Sequence, residues 1–285
     1  MEKVIMSFPG LGIGEFVVNK IAFTIPIFGG LEIRWYGLII TVGMILAVLY
    51  AWLRTKEIGV ILDDLLDYAI FAILFGVLGA RLYYVIMKGG YTSFMEIIAV
   101  WNGGLAIYGG VIGGALAVFG VSRYKKMSFG KMADCIIPGV MIAQALGRWG
   151  NFFNGEAHGG VVAEGSPLYF LRMGLYPNEI TGVSGMAYVH PTFLYESMWN
   201  ILGFVLINLF YKKKSFDGEV LFWYMAWYGF GRMLIEGLRT DSLMLGPFRV
   251  SQVVGLLCFI IGVAVIVTMR VLAYRKRKSE SKVDA

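Results

Sequence analysis

The chain has 285 residues, of which 58% are hydrophobic and only 15% are charged. A soluble domain carries roughly 25% charged residues, so this composition excludes an ordinary soluble protein and predicts an integral membrane protein. The net charge of +6 does not indicate a nucleic-acid partner, because the basic residues cluster in short loops beside apolar segments, as they do in membrane proteins.

The apolar runs predict an all-α protein with seven transmembrane helices, since about 20 apolar residues are needed to cross a bilayer. In chain order, the predicted spans are 36–53, 68–87, 103–122, 132–149, 192–211, 218–236 and 250–269. We expect residues 1–35 to form an outer arm, residues 36–272 to form the membrane domain, and residues 273–285 to form a polar, disordered tail.

The distribution of lysine and arginine predicts the orientation. One set of loops, together with the C-terminal tail, holds most of the basic residues, namely Arg54, Lys56, Arg123, Lys125, Lys126, Lys131, Lys212, Lys213, Lys214, Arg275, Lys276, Arg277, Lys278 and Lys282. Because basic loops remain in the cytoplasm, the C-terminus should be cytoplasmic and the N-terminus outside. The connection 152–190 between the fourth and fifth helices then lies outside. Loops longer than about 15 residues are usually functional or disordered, and the aromatic content of this one predicts a small packed cap.

Polar side chains from five predicted helices fall at the same depth, in the outer half of the bilayer. They are Tyr36, Tyr108, Arg148, Asn151, His190, Glu196, Arg232 and Glu236. Ionisable groups inside a membrane are costly and normally face a partner or a wet cavity. We therefore predict that these side chains line one cavity.

Two arginines are candidates for binding an anionic ligand. Arg232 and Glu236 are four residues apart and share a helix face, so they either neutralise each other or Glu236 orients the guanidinium towards a ligand. Arg148 either snorkels to lipid head groups or binds a phosphate, and the flanking Gly147 and Gly150 favour close approach of a ligand.

Other features permit two interpretations or indicate no site. The glycine-rich run 103–120 predicts tight helix packing or room for a lipid chain. Arg81 is either structural or a contact to a lipid phosphate. Ser184 lies in GVSG, which resembles the serine motif of rhomboid proteases, but its place in a loop makes the match fortuitous. The two cysteines lie in apolar runs and the chain has only two histidines, so no metal site is predicted.

The stretch GRWGNFFNGEAHG (147–159) resembles the signature of the prolipoprotein diacylglyceryl transferase family. Further segments match that family in order and spacing, namely RWYG (34–37), GARLYY (79–84), WNGGLAIYGGVIGG (101–114), HPTFLYES (190–197) and GRMLIEGLRTD (231–241). The resemblance implies an enzyme of the bacterial cytoplasmic membrane. Such an enzyme moves the diacylglyceryl group of phosphatidylglycerol to the lipobox cysteine of a preprolipoprotein, forming a thioether and releasing glycerol 1-phosphate.

By motif position, the resemblance makes Arg148 the residue that binds phosphatidylglycerol. It assigns catalytic importance to Tyr36, Asn151, Arg232 and Glu236, and substrate binding to Gly159, with Arg81 and His190 as further candidates for substrate contact. Tyr108 stands where many members have the histidine of an HGG motif. Because the substrate supplies the thiol, no cofactor, metal or catalytic cysteine is expected.

The acceptor of the thiol proton is left open. Tyr108 could relay the proton, Glu236 or His190 could accept it, or the field of the arginines could lower the pKa of the thiol without a dedicated base. Two other classes of function are also open. One is a lipid-binding or transport protein without chemistry, and the other is an intramembrane protease dependent on Ser184.

Overall fold

The computed structural model describes residues 2–26, 30–176 and 185–283, and these contain eight α-helices. The helices are α1 (Trp35–Thr55), α2 (Leu62–Lys88), α3 (Phe94–Ile98), α4 (Ile107–Tyr124), α5 (Phe129–Asn154), α6 (Thr192–Phe210), α7 (Glu219–Ile235) and α8 (Val250–Val283). Each predicted span overlaps one of the seven longer helices.

Six helices of the described chain are long and apolar enough to cross a membrane, namely α1, α2, α4, α5, α6 and α8. In α1, α2, α4 and α8 only 11% of the apolar span is buried within the protein, so large apolar side chains face outwards. Such a surface requires an apolar solvent, which identifies a multi-pass membrane protein. The predicted count of seven spans is not established, because α7 has only 17 residues.

Three predicted boundaries are wrong. The third span begins at Ile107 rather than 103, because Gly103 and Gly104 adopt positive φ angles of 76° and 69° that no helix allows. The fourth helix runs past 149 to Asn154, so residues 147–154 of the GRWGNFFNGEAHG signature are helical. The tail is not disordered through its length, since α8 continues to Val283 on residues that favour helix formation.

The all-α expectation is also wrong, because the described residues include eight β-strands. They are β1 (Lys3–Phe8), β2 (Ile13–Asn19), β3 (Ile21–Ile25), β4 (Leu31–Arg34), β5 (Met173–Tyr176), β6 (Ala187–Val189), β7 (Met244–Leu245) and β8 (Phe248–Arg249). Antiparallel pairing gives a four-stranded sheet of order β2-β1-β5-β6 and two hairpins, β3-β4 and β7-β8. The arm is rich in β-branched residues, which favour strands over helices.

The four-stranded sheet joins the N-terminal arm to the connection between α5 and α6. In β1, Met6 pairs with Leu175 of β5, so the arm and the connection form one sheet rather than separate parts. Its buried core contains Val4, Met6, Phe8, Val18, Met173, Leu175, Val189 and Phe193. Residues 177–184, including Ser184, lie outside the described residues.

The chain divides into two compact units. The first contains Met1–Ala47, Pro138–Phe216 and Phe222–Ala285, and it includes the four-stranded sheet, α6 and α8. The second contains Val48–Ile137 and Asp217–Leu221, and it includes α2, α3 and α4.

Glycines bring α2 and α4 of the second unit into backbone contact. A Cβ on Gly109 would collide with the carbonyl oxygen of Gly79, and one on Gly113 would collide with the carbonyl oxygen of Phe75. Lipid gives helices no hydrophobic reason to associate, so close packing through small residues is the main attraction. The helix-packing interpretation of the glycine-rich run therefore holds for Gly109 and Gly113.

We expect Gly113→Ala to lower the free energy of unfolding by about 1–3 kcal/mol, because the added methyl group would push α4 away from α2. Unfolding of the purified protein in mixed micelles would measure this. Gly120→Ala on the same helix is the matched control, since no atom of another described segment lies within 4 Å of its added Cβ. An equal loss of stability in both variants would show that the α2–α4 contact is not responsible.

Candidate active site

Three arginines converge on one buried glutamate in the second turn of α6. The side chain of Glu196 is only 4% exposed, and its Oε2 lies 2.6 Å from Nη2 of Arg148. Its Oε1 lies 2.9 Å from Nη1 of Arg232 and 3.2 Å from Nη1 of Arg239. A buried charge is tolerated only when oppositely charged groups surround it. Glu196 is therefore the common anchor of three guanidinium groups.

A second buried acid completes what we call the arginine cluster: Arg148, Arg232, Arg239, Glu196 and Glu236. Nη2 of Arg232 lies 2.5 Å from Oε2 of Glu236, whose side chain is 1% exposed. Arg232 thus bridges both acids and does not form a self-contained pair with Glu236. Counted with Asp241 and Arg249, which both bind Arg239, four guanidinium groups face three carboxylates, and this excess of one positive charge favours an anionic ligand.

Asp241 holds Arg239 from the solvent side. Nε and Nη2 of Arg239 donate to Oδ1 and Oδ2 of Asp241 at 3.0 Å and 2.7 Å, which is the bidentate geometry of a strong pair. Partial burial acts to raise the pKa of Asp241, but the hydrogen bonds and the charge of Arg239 outweigh it, and the pKa of Asp241 lies below its usual value. Asp241 is therefore ionised at neutral pH and fixes the plane of the Arg239 guanidinium.

The segment that carries Arg239 is held by Arg249, the last residue of β8, directly before α8. Nη1 of Arg249 donates to the carbonyl oxygens of Glu236 and Arg239, the latter at 2.7 Å, and to Oγ of Ser242 at 3.3 Å. A chain that leaves a helix has unpaired carbonyl groups, and a guanidinium can bind several of them at once. Arg249 thus supports the chain that follows α7.

Gly159 lies where three segments meet. Its N–H donates to the carbonyl oxygen of His190 at 2.9 Å, and the N–H of Gly160 donates to the carbonyl oxygen of Leu238 at 2.9 Å. An antiparallel bridge also joins Gly159 to Arg239. A Cβ on Gly159 would lie 2.6 Å from Cβ of His190 and 2.9 Å from the oxygen of Leu238. Only glycine fits here without moving the chain that presents Arg239.

The C-terminal part of α5 places further signature residues beside α1 and α6. A Cβ on Gly150 would lie 2.7 Å from Cδ2 of Tyr36, so the glycine lets this ring pack against the helix backbone. Nε1 of Trp149 donates to Oγ of Ser197 at 3.2 Å, which fixes α5 against α6 next to Glu196. Arg148 and Asn151 are three residues apart and share a face of α5.

Comparison with known proteins decides the family. Residues 20–268 match the family model described as prolipoprotein diacylglyceryl transferase. A phosphatidylglycerol–prolipoprotein diacylglyceryl transferase of Clostridium novyi (strain NT) is 43% identical over 270 residues, covering 93% of this chain and 100% of the relative.

The enzyme of the same name from Streptococcus pneumoniae serotype 4 (strain ATCC BAA-334 / TIGR4) is 47% identical over 255 residues, covering 88% of this chain and 92% of the relative. The chain belongs to the prolipoprotein diacylglyceryl transferase family. The family inferred from the signature and the assignment as a transferase are thus confirmed.

Among the residues singled out from the sequence of this transferase, Arg148 and Arg232 both bind Glu196, and Glu236 joins them through Arg232. Gly159 is hydrogen-bonded to His190, and an antiparallel bridge joins it to Arg239 of the arginine cluster. Tyr108 lies on α4 in the second unit, where its ring centre is 6.3 Å from that of Tyr83.

Arg81, also in the second unit, is engaged with backbone. The residue is 7% exposed, and its guanidinium donates to the carbonyl oxygens of Glu96, Ile97, Gly103 and Gly104 at 2.5 to 3.1 Å. These contacts hold the chain between α2 and α4 in place. The structural interpretation of Arg81 is therefore favoured over a contact to lipid phosphate.

His190 presents a neutral imidazole. Burial lowers its pKa below the usual value near 6.5, and its Nδ1 lies 3.3 Å from Oη of Tyr195. Glu236 forms an ion pair with Arg232. Of the side chains proposed as proton acceptors, His190 is the one in the first unit that forms no ion pair with the described residues.

Sequence reasoning missed the central roles of two residues. In the sequence, Glu196 stands out only as a polar residue at a helix start, and Arg239 only as part of the GRMLIEGLRTD segment. A lone acid near the start of an apolar helix was a usable signal, since it needs a cationic partner. The identity of the partners depends on contacts between residues 36 to 48 positions apart, which no local pattern shows.

We expect Gly159→Ala to reduce transferase activity by about tenfold or more, because the methyl group would displace the bridge to Arg239. Gly160→Ala is the matched control, as the nearest atom would be 3.8 Å from its Cβ. The transferase turnover rates of the two variants can be compared in detergent, provided that both proteins are equally stable there. Normal activity of Gly159→Ala would mean that this junction does not position the arginine cluster.

Proposed function

We propose that this chain transfers the diacylglyceryl group of phosphatidylglycerol to the lipobox cysteine of preprolipoproteins. Membership of the family supports the reaction, and the observation that carries the mechanism is the convergence of Arg148, Arg232 and Arg239 on Glu196. The substrate sulfur attacks the terminal glycerol carbon of the diacylglyceryl group. The bond from that carbon to the phosphate oxygen breaks, a thioether forms, and glycerol 1-phosphate leaves with the electron pair.

The leaving phosphate gains negative charge as the carbon–oxygen bond breaks, so fixed positive groups around it accelerate the reaction. Arg148 is the most exposed arginine of the cluster at 20%, against 14% for Arg232 and 10% for Arg239. Arg148 is thus best placed to contact the phosphate. Arg232 and Arg239 add positive charge from behind, and Asn151 offers a neutral donor on the same face of α5.

Glu196 and Glu236 act as positioning residues in this scheme. Three guanidinium groups would repel one another without shared acids, because charges interact strongly where water is excluded. Each acid occupies only part of the donor set of its arginine, since a guanidinium has five N–H groups. The remaining donors are available to the phosphate.

The arginine cluster lowers the pKa of the incoming thiol, which is near 8.5 in a free cysteine. His190 then accepts the proton, since its imidazole is neutral at pH 7 and its backbone is bonded to the Gly159 junction. Tyr36 borders the cluster through its contact with Gly150 and serves to orient substrate. Tyr108 acts as a hydrogen-bond donor or relay in place of the histidine of other family members.

We further propose seven membrane spans, in which α7 is added to the six helices that are long and apolar enough to cross the membrane. In this arrangement the N-terminus lies outside and the C-terminus lies in the cytoplasm. The arginine cluster involves the start of α6, whereas Lys212, Lys213 and Lys214 follow its end. Basic loops favour the cytoplasm, so the cluster would face the outer half of the bilayer. The sheet formed by the arm and residues 152–190 would then be an outer cap, with residues 36–272 as the membrane domain and 273–285 as a cytoplasmic tail.

A lipid-binding protein without chemistry would use the same arginines, so the decisive measurement is the mass of a lipobox peptide after incubation with phosphatidylglycerol. We expect Arg148→Ala to lower kcat/KM by at least about 100-fold, because a preorganised contact to the leaving group is lost. Arg275→Ala on exposed α8 is the control and should keep full activity.

Phosphatidylglycerol retained by the wild type with no diacylglyceryl adduct on the peptide would favour the binder. Near-normal turnover of a folded Arg148→Ala protein would remove Arg148 from the assigned role. Cleavage of the peptide would instead indicate the protease.

A pH profile distinguishes the proton acceptors. Below the pKa of His190 the imidazole is protonated and cannot accept, so wild-type kcat should fall as pH decreases below about 6.5 and level off above it. His190→Gln should lower kcat by about 100-fold and abolish this acidic limb. Tyr108→Phe should keep the limb. Persistence of the limb in His190→Gln would exclude His190 as the proton acceptor.

A further inference from the structure

A groove runs along the C-terminal half of α6, towards the end of this helix that is opposite the arginine cluster. It has a volume of about 510 Å³ and is formed by the C-terminal half of α6 with α7 and α8. Its apolar wall contains Leu206, Ile207, Phe210, Trp223, Trp227 and Ile266. Phe210, at one end of the groove, is separated from Glu196 by about 21 Å along the helix axis, so this end is not part of the proposed active site.

The floor of the groove is rigid. The rings of Trp199 and Trp227 stack with centres 4.2 Å apart, and each indole N–H donates to the carbonyl oxygen of the other residue, at 3.0 Å and 2.9 Å. Gly203 lets Trp227 lie flat against α6, because any Cβ there would collide with the indole. A preformed apolar surface reduces the entropy lost when a ligand binds.

Two cations stand at one end of the groove. Lys213 and Arg270 both line it, and Nη2 of Arg270 donates to the carbonyl oxygen of Lys213 at 3.4 Å, so the two residues are adjacent. Both side chains are exposed, and no acidic residue lines the groove within the described part of the chain. The end of the groove is thus complementary to an anion.

We propose that this groove binds an anionic glycerophospholipid, with an acyl chain along the apolar wall and the phosphate between Lys213 and Arg270. Basic pockets between transmembrane helices bind lipid head groups of this kind, and tryptophans are enriched at the depth where head group meets acyl chain. A zwitterionic lipid fits less well, because its ammonium group would lie beside two cations. The bound lipid is a structural ligand and not the transferred substrate, since its phosphate would lie at the opposite end of α6 from the arginine cluster.

Native mass spectrometry of the full chain, released from detergent micelles with added dioleoyl phosphatidylglycerol, tests this proposal. We expect Lys213→Gln/Arg270→Gln to weaken one tight lipid-binding event by about 25-fold, from about fivefold for each charge removed. Lys212→Gln/Arg275→Gln removes the same charge outside the groove and should leave that event in place. Ile266→Trp keeps the charge, fills the groove and should also weaken the event.

Arg148→Ala separates this site from the proposed active site. If both sites bind phosphatidylglycerol, Arg148→Ala should remove one binding event and the groove variants another, independently. Equal binding of dioleoyl phosphatidylcholine, equal losses in the two double variants, or unchanged binding in Ile266→Trp would each overturn the groove proposal without affecting the transferase proposal.

Discussion

The carboxylate of Glu196 is the interaction on which the rest of the site depends. Its two oxygens bind Arg148 from α5, Arg232 from α7 and Arg239 from the segment after α7, so one buried acid joins three parts of the chain. Guanidinium groups at this spacing would otherwise separate or take up water. The buried acid costs free energy by itself but becomes tolerable when paired, and the resulting cluster keeps an excess of positive charge. That excess is what a departing phosphate requires.

Around this anchor, backbone contacts determine how closely the arginines can be held. Gly159 joins the chain at His190 to the chain at Leu238, and Arg249 binds the carbonyl groups that follow α7. Both devices act on the segment of Arg239, which lies in no long helix. A functional arginine on an irregular segment needs this support, because a loop alone would not hold a guanidinium within hydrogen-bond distance of a buried acid.

The apolar environment of the membrane explains why glycines and hydrogen-bonded polar groups hold the helices together. Apolar side chains gain nothing by leaving lipid for one another, so α2 and α4 associate through backbone contacts at Gly79, Gly109 and Gly113. Arg81 likewise uses its donors on four carbonyl groups, since unpaired backbone groups are costly in an apolar environment. The indole N–H groups of Trp199 and Trp227 likewise donate to backbone carbonyl oxygens, which fixes this pair between α6 and α7.

The sequence by itself determined the membrane class, the approximate positions of the helices, the family and most residues of the arginine cluster. Long apolar runs and the GRWGNFFNGEAHG signature are local features, so they can be recognised in the sequence without a structure. The tertiary structure decided that the arm pairs with β5, that Glu196 gathers three arginines and that Arg81 is taken up by backbone. Strand pairing and ion pairing between distant residues depend on how the chain packs, because an unpaired strand or a lone charge is compatible with many partners. A sequence shows that a buried glutamate must have a cation beside it, but only the folded chain selects which one.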